Sequence, residues 1–419
     1  MRNTKVSLIV GAMAALVGTT ACSKSEQKQS NEAAKEAAPA AQEAPKEENV
    51  IKLGQTMPYS GPASAYSTIG RLQAAFFKKL NASGGIDGKQ VQIISMDDSY
   101  SPPRAVEQVR RLVETDHVTA IFNAVGTPSN TAVRPYLNEK KVAQLFVSTG
   151  ASKWADPQHF PYTIGFNPSY RVEGRTYAAH ILQTKPKAKI AVLYQGDDFG
   201  KDIVAGIKEG LGDKEKMIVA EATYETSDPT IDSQIVSLKA SKADTVMIVT
   251  TPKFGAQAIK KISDLNWDAT RYIVNVSASI GSVLVPAGLE RAKGLITTQY
   301  LKDPNDKSWA EDPGVKEYQA FLKSDFPEGD PRDGSNVYAY VAAQTLVQVL
   351  KQAKGNYSAE NLIKEAANLK DFTPGLLLPG LTINTSPTDF ELFDKLTISS
   401  FDGESWKPID QKNGVAAAK

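Results

Sequence analysis

The sequence has very little of the residue types that build disulfides and metal sites. Among its 419 residues there is one cysteine, Cys22, and there are three histidines, His117, His159 and His180. A single cysteine cannot form an intramolecular disulfide, and three scattered histidines offer no cluster of metal ligands. We therefore expect no metal site and no cofactor.

An excess of charge of either sign is also missing. Lys and Arg number 48 against 47 Asp and Glu, which gives a formal net charge of +1 at pH 7. Nucleic-acid binding needs a surplus of positive charge, so this balance argues against a nucleic-acid partner. The length predicts two lobes plus extensions, at about 100–200 residues per domain.

Common catalytic motifs are absent as well. The chain contains no Gly-x-Ser-x-Gly elbow, no Gly-x-x-x-x-Gly-Lys phosphate loop and no cysteine placed to serve as a nucleophile. We expect no catalytic residue and no enzyme activity, although an envelope enzyme stays an alternative.

The N-terminal segment has the pattern of an export signal. Arg2 and Lys5 precede an apolar run over 6–17, which at about a dozen residues is short for a spanning helix. Small residues then lead to Cys22, and the whole resembles a bacterial lipoprotein signal with cleavage before a lipidated Cys22. A plain signal peptide is the alternative, because Thr19 stands where the lipoprotein pattern prefers Leu.

A low-complexity segment follows the cysteine. Residues 23–49 contain no aromatic and no β-branched residue, so they cannot bury enough apolar surface to fold. We expect residues 22–49 to form a disordered tether, with a span of roughly 30 Å as a coil. Residues 411–419 are expected to form a frayed tail.

The rest of the chain alternates short apolar strands with helical segments. Residues 51–57 and 89–96 predict strands, and 71–81 between them has helical spacing. The alternation restarts after Tyr170, with a buried strand over 189–194. This pattern predicts an α/β fold with two similar halves, each a mostly parallel sheet flanked by helices.

Loops at the carboxyl ends of the predicted strands are the expected ligand-binding positions. Ligands of open α/β sheets bind at these ends, and two facing lobes would form a cleft between them. The acidic pair Asp97 and Asp98 in one such loop indicates a turn device more than a metal site. The loops are 58–66, 97–100, 124–129, 148–154, 196–200, 251–254 and 275–279.

Six segments in order resemble the branched-chain amino-acid-binding proteins of ABC transporters, the leucine-binding-protein-like family. The resemblance covers nearly all of 50–410. It implies an extracytoplasmic, monomeric binding protein of type I fold, with two lobes, three hinge crossovers and ABC permease subunits as partners. A ligand-sensing receptor on the same fold stays an alternative. The segments are 60–66, 81–88, 97–98, 122–127, 197–200 and 338–340.

The resemblance also implies the domain boundaries. Residues 1–21 would be the signal peptide. The first lobe would comprise 50–170 and about 300–380, and the second 171–299 and about 381–410. The candidate crossovers are 166–172, the region near 298–301, and a stretch around 374–388.

Members of this family hold the carboxylate of their solute with hydroxyl and backbone N–H groups of the first lobe, and both lobes contribute aromatic residues. Glycine lets the backbone come close to the ligand. The positions that match are Tyr66, Thr127, Ser129, Thr149, Gly150, Ser152, Phe199, Phe254 and Asn275.

One departure from the family concerns the ligand. Amino-acid-binding members carry an acidic residue in the second lobe that pairs with the α-ammonium group, but residues 275–279 read Asn-Val-Ser-Ala-Ser. A buried ammonium without its partner is destabilised by several kcal/mol. We therefore expect a small carboxylic acid with an aromatic or otherwise apolar body to bind better than leucine. Asp197 or Asp198 could still supply the missing charge and restore amino-acid binding.

Overall fold

The computed structural model describes residues 49–409. The predicted signal peptide, Cys22, nearly all of the tether and the tail lie outside the described residues.

The strands of the described chain form two sheets. The first has five parallel strands in the order β2-β1-β3-β4-β5, and the second has seven in the order β12-β11-β10-β9-β8-β6-β7. In the second sheet β6 to β10 pair in parallel, and β11 pairs antiparallel with both β10 and β12. The strands are β1 Val50–Met57, β2 Gln90–Asp97, β3 Ala120–Phe122, β4 Ala143–Val147, β5 Thr163–Gly165, β6 Ile190–Gln195, β7 Ile218–Tyr224, β8 Thr245–Val249, β9 Thr270–Ile273, β10 Ile296–Gln299, β11 Thr397–Phe401 and β12 Trp406–Pro408.

Helices connect the parallel strands, as βαβ geometry requires. Several begin with proline in the first turn, where its missing N–H has no intrahelical partner to lose. The helices are α1 Ser67–Ala82, α2 Pro102–Glu114, α3 Thr127–Glu139, α4 Tyr170–Thr184, α5 Asp198–Leu211, α6 Asp232–Ala240, α7 Pro252–Asp264, α8 Val285–Ala287, α9 Leu289–Ala292, α10 Pro313–Asp325, α11 Gly334–Gln352 and α12 Ala359–Ala366.

The chain passes three times between the two sheets. It leaves the first sheet after β5, returns to it after β10, and reaches the second sheet again at β11. The returning helices α10 to α12 pack with α1 and β4 around one apolar core. We call this part the first lobe, and the part around the seven-stranded sheet the second lobe.

Both lobes are held by buried apolar side chains on continuous strands and helix faces. Strand β4 is buried along its whole length, as expected for a parallel strand covered on both faces. The two-sheet α/β class predicted from the sequence is confirmed. Within residues 49–409 no helix is both long and apolar enough to cross a membrane.

Candidate ligand-binding cleft

A cleft lies between the two lobes, at the carboxyl ends of the strands. Its empty space is about 1030 Å³, including the part that is open to solvent. That is at the upper end of the usual range for small-molecule sites. Aromatic side chains from both lobes and from the connecting segments line it, namely Tyr66, Tyr100, Tyr170, Phe199, Tyr300, Tyr338 and Trp406.

The two lobes contact each other directly across the cleft. A loop near the start of α1 reaches the second-lobe loop after β9, and further contacts close two other edges. These contacts place the protein in a closed conformation. The hydrogen bonds are Tyr66 Oη to Val276 O at 3.0 Å, Ser279 Oγ to Asp333 Oδ1 at 2.7 Å, and Lys153 Nζ to Asp198 Oδ2 at 2.5 Å.

The first-lobe wall is built around the N-terminus of α3. Gly126 caps this helix with a φ of 103°, a conformation that favours glycine. Thr127 Oγ1 and Thr149 Oγ1 lie 2.5 Å apart, and both residues line the cleft. Pro128 removes one N–H donor from the first turn. Hydroxyl groups and the positive end of the helix therefore suit this wall to a carboxylate oxygen.

Three charged side chains line the described cleft, and each already has a protein partner. The two cations are ion-paired, whereas Asp303 accepts hydrogen bonds from neutral amide groups, which occupy its oxygens but do not neutralise its charge. Lys302 pairs with Asp312 at 2.7 Å, Asp303 Oδ2 accepts from Trp406 N at 3.0 Å, and Arg332 pairs with Asp330 at 3.1 Å.

A further acid lies behind the second-lobe wall. Glu173 is buried, and its Oε1 accepts hydrogen bonds from Asn275 N at 2.7 Å, Tyr177 Oη at 2.7 Å and Thr298 Oγ1 at 3.2 Å. Burial raises the pKa of this carboxyl group, against the effect of its three donors. Glu173 thus anchors the loop that carries Asn275.

Five of the nine residues predicted for the site lie on the cleft, and they come from both lobes. The structure brings together Tyr66, Thr127, Thr149, Phe199 and Asn275. Phe199 packs against Tyr170, with 5.1 Å between ring centroids. Their part in ligand binding stays a prediction.

The other four predicted residues do not line the cleft. Ser152 donates to Asp202 from both its N–H and its hydroxyl, at 2.6 and 3.1 Å. Phe254 is fully buried against Tyr224, with ring centroids 4.4 Å apart. The Ser152 side chain therefore forms a hydrogen bond between the lobes, and the Phe254 side chain packs within the second lobe.

Gly150 and Ser129 are likewise engaged elsewhere. A Cβ on Gly150 would lie 2.1 Å from the carbonyl oxygen of Pro168, so glycine is needed here for backbone packing. Ser129 is buried beside Asp98, behind the start of α3.

Sequence reasoning missed several aromatic residues of the cleft. Tyr338 lies on α11 and accepts a hydrogen bond from Asn123 Nδ2 at 2.9 Å. Tyr300 comes from the second passage between the lobes, and Trp406 from β12. The segment 338–340 carried a family signal, whereas Tyr300 and Trp406 follow no recognisable motif.

The comparison with known protein families decides the class of protein. A profile of a family described as periplasmic binding protein matches residues 50–402. The chain belongs to this family. The leucine-binding-protein-like resemblance predicted from the sequence is thereby confirmed.

Individual relatives of this periplasmic binding protein are distant. It is 21% identical over 326 residues to an amino acid binding protein of Pseudomonas aeruginosa, covering 74% of this chain and 80% of the relative. It is 24% identical over 323 residues to the leucine-specific-binding protein of Salmonella typhimurium, covering 75% and 82%.

Solved structures share the fold. A possible leucine/isoleucine/valine-binding protein from Rhodopirellula baltica superposes with a TM-score of 0.77 at 21% identity, over 89% of this chain and 99% of that one. A branched-chain amino acid ABC transporter protein from Thermus thermophilus with bound valine superposes with a TM-score of 0.77 at 15% identity. The match covers 88% of this chain and 97% of that one. The two-lobed type I architecture is confirmed.

Proposed function

We propose that this periplasmic binding protein is the substrate-binding component of an ABC importer. It holds one small organic solute between its lobes and delivers it to permease subunits. The supporting observation is the aromatic-lined cleft, closed by hydrogen bonds between the two lobes. The relatives are named as binding proteins, which supports a role without catalysis.

We infer that the solute is a small organic acid with an apolar or aromatic body. The first-lobe wall offers the free hydroxyl proton of the hydrogen-bonded pair Thr127 and Thr149, and the N-terminus of α3, to a carboxylate. On the opposite side, residues 275–279 contain no acid, and the acid on the described lining, Asp303, already accepts hydrogen bonds from Trp406 N and Asn305. An α-ammonium group away from Asp303 would therefore lack a carboxylate partner and be destabilised by several kcal/mol.

An aliphatic amino acid is the second candidate. The names of the relatives favour it, since they are described as amino-acid- and leucine-binding proteins. The two candidates differ in the ammonium group, so paired compounds with and without the amine distinguish them.

We propose further that the protein works in the periplasm or cell envelope, tethered to a membrane as a monomer. A lipid on Cys22 would supply the anchor, and residues 23–49 the spacer.

A thermal-shift screen tests the proposed function. A ligand that binds only the native state raises the melting temperature, with a stabilisation of about 2.7 kcal/mol at a hundredfold excess over Kd. Amino acids are screened against aromatic and aliphatic acids of matching carbon skeleton, after endogenous ligand has been removed by unfolding and refolding. We expect acids to give the larger shifts. A protein that responds to no small solute would overturn the proposal.

A further inference from the structure

Two consecutive residues at the edge of the cleft adopt the left-handed backbone conformation. Ser99 has a φ of 50° and Tyr100 a φ of 59°. This conformation is unfavourable by roughly 1–2 kcal/mol for a residue with a side chain. Such strained residues cluster at functional sites, where the surrounding structure holds them in place.

The acidic pair that precedes these residues holds the strained turn. Asp97 Oδ1 accepts a hydrogen bond from Ser99 N at 2.9 Å, and Asp98 Oδ1 accepts one from Tyr100 N at 2.8 Å. Each carboxylate thus caps the backbone two residues further along, as in an Asx turn. The result is a defined position for the Tyr100 side chain.

The ring of Tyr100 rests on a glycine at the start of α3. A Cβ on Gly126 would lie 2.6 Å from the Tyr100 ring, so any other residue there would displace it. Gly126 directly precedes Thr127, one of the two hydroxyls offered to a carboxylate. Tyr100 therefore lies beside the proposed carboxylate position, and it lines the cleft itself.

The hydroxyl of Tyr100 faces the second lobe. Burial, and next the carboxylate of Asp197 across the cleft, raise the pKa of Tyr100 well above its usual value. The hydroxyl is thus a neutral donor at physiological pH. The facing Gln195 is fixed by Tyr224 Oη at 3.0 Å and by Asp197 Oδ2 at 2.6 Å.

Packing alone gives no reason for this arrangement. Asp98 is completely buried beside the Ser129 hydroxyl, and burial raises the pKa of its carboxyl group against the effect of the Tyr100 N–H and that hydroxyl. A buried carboxyl group is destabilising unless it is hydrogen-bonded. The fold therefore keeps both a strained turn and a buried acid at the place where one tyrosine is positioned.

We propose that Tyr100 contacts the bound solute next to its carboxylate and selects solutes with an aromatic body, and that Asp98 is its positioning residue. This inference rests on the proposed function. The Tyr100 ring offers an aromatic surface that stacks better on a flat ring than on a puckered one. Its contribution is therefore largest for planar solutes.

The test compares benzoate with cyclohexanecarboxylate, which keeps the carboxylate and ring size but not the planarity. We expect wild type to prefer benzoate. Tyr100→Ala should weaken benzoate binding by about tenfold or more and bring the two affinities within about threefold of each other, since each tenfold is about 1.4 kcal/mol. Isothermal titration calorimetry measures both.

Asp98 is tested by a pair of substitutions. Asp98→Asn keeps an acceptor for Tyr100 N and should preserve the benzoate preference, whereas Asp98→Ala should lose it as Tyr100→Ala does. A purely structural residue would lower the melting temperature and both affinities together, without changing their ratio. Tyr136→Ala, on the outer face of α3 where the hydroxyl donates to Glu114, is the control.

The outcomes separate this inference from the proposed function. If the wild-type protein binds leucine and none of the acids, the acid assignment fails. The affinities for phenylalanine and cyclohexylalanine are then compared in place of those for benzoate and cyclohexanecarboxylate. If Tyr100→Ala leaves the preference of whichever pair binds unchanged, the role of Tyr100 is overturned.

Discussion

The Ser279 hydroxyl of the second lobe donates a hydrogen bond to the Asp333 carboxylate of the first lobe, 2.7 Å from Oδ1. Beside it, Gly281 N donates to Arg332 O at 2.8 Å. Asp333 also caps α11 by accepting from Ser335 N at 3.0 Å. We call segments 279–282 and 330–335 the clasp. Its bonds between the lobes exist only while the lobes are together, so the clasp stabilises the closed state.

Gly281→Ala should weaken ligand binding without unfolding the protein. A Cβ at this position would lie 2.8 Å from Asp330 Oδ2 and 3.1 Å from Asp333 N, across the gap between the lobes. The clash arises only on closure, so we expect about a tenfold loss of affinity, equivalent to about 1.4 kcal/mol. Calorimetry measures the affinity, and thermal melting of the ligand-free protein shows whether the fold is intact.

The clasp itself offers a matched control. A Cβ on Gly334 would meet only Ser279 Cα, at an ordinary 3.9 Å. Gly334→Ala should therefore bind as wild type does. Equal affinities for both alanine variants would show that the clasp does not take part in closure.

Asp98→Asn should change the pH dependence of stability. Burial raises the pKa of Asp98 to about 6, from a usual value of 3.8. Between these two values the folded protein keeps a proton that the unfolded chain releases, so stability from this group falls as pH rises from about 4 to about 6. The destabilisation is complete at pH 7 and amounts to at most a few kcal/mol.

Melting curves of wild type and Asp98→Asn across this range provide the measurement. We expect the free energy of unfolding of Asp98→Asn, relative to that of the wild type, to increase from pH 4 to pH 7. A difference that stays constant with pH would mean that Asp98 titrates normally in the folded protein.

Substitutions of Phe254 and Phe199 should have different effects on stability and on ligand affinity. Phe254→Ala removes a fully buried ring and should destabilise the protein by about 3–5 kcal/mol, with little change of affinity well below the melting temperature. Phe199→Ala should also lose affinity, because Phe199 lines the cleft. Calorimetry at a temperature where both variants are folded compares them. A matching loss of affinity in Phe254→Ala would place that residue in the binding site after all.

Cys22→Ser tests the proposed anchor. The wild-type protein should sediment with membranes after cell fractionation, and the variant should move to the soluble envelope fraction. A wild type that is already soluble would contradict lipidation and favour an ordinary signal peptide.

Much of the fold could be predicted because apolar runs and loop residues are local signals. The strand expected over 51–57 is observed as Val50–Met57, and the helix expected over 71–81 as Ser67–Ala82. Strands β5, Thr-Ile-Gly, and β12, Trp-Lys-Pro, are short and contain no apolar run, and they were missed. Strand β11 has the sequence Thr-Ile-Ser-Ser-Phe, which contains no apolar run that would predict a strand. Its burial depends on the strands on either side of it.

The site was less predictable, because the direction of a side chain depends on distant partners. The loops at strand ends could be identified, yet Ser152 turns to Asp202, fifty residues later in the chain. Tyr300 and Trp406 reach the cleft only because the chain crosses between the lobes three times. The loop 97–100 was among the predicted ligand-binding loops, but Tyr100 was not singled out in it, because its position depends on a left-handed turn that follows an acidic pair.

The most direct test of the account is calorimetric titration of the ligand-free protein with leucine, isoleucine and valine, and with a panel of aromatic acids that lack the amine. The cleft has a hydroxyl donor for a carboxylate, and the acid among its described lining residues, Asp303, already accepts hydrogen bonds from amide groups. We predict micromolar or tighter binding of at least one acid, and binding of leucine at least about tenfold weaker, a difference of about 1.4 kcal/mol. Micromolar binding of leucine with no response to the acids would contradict the account.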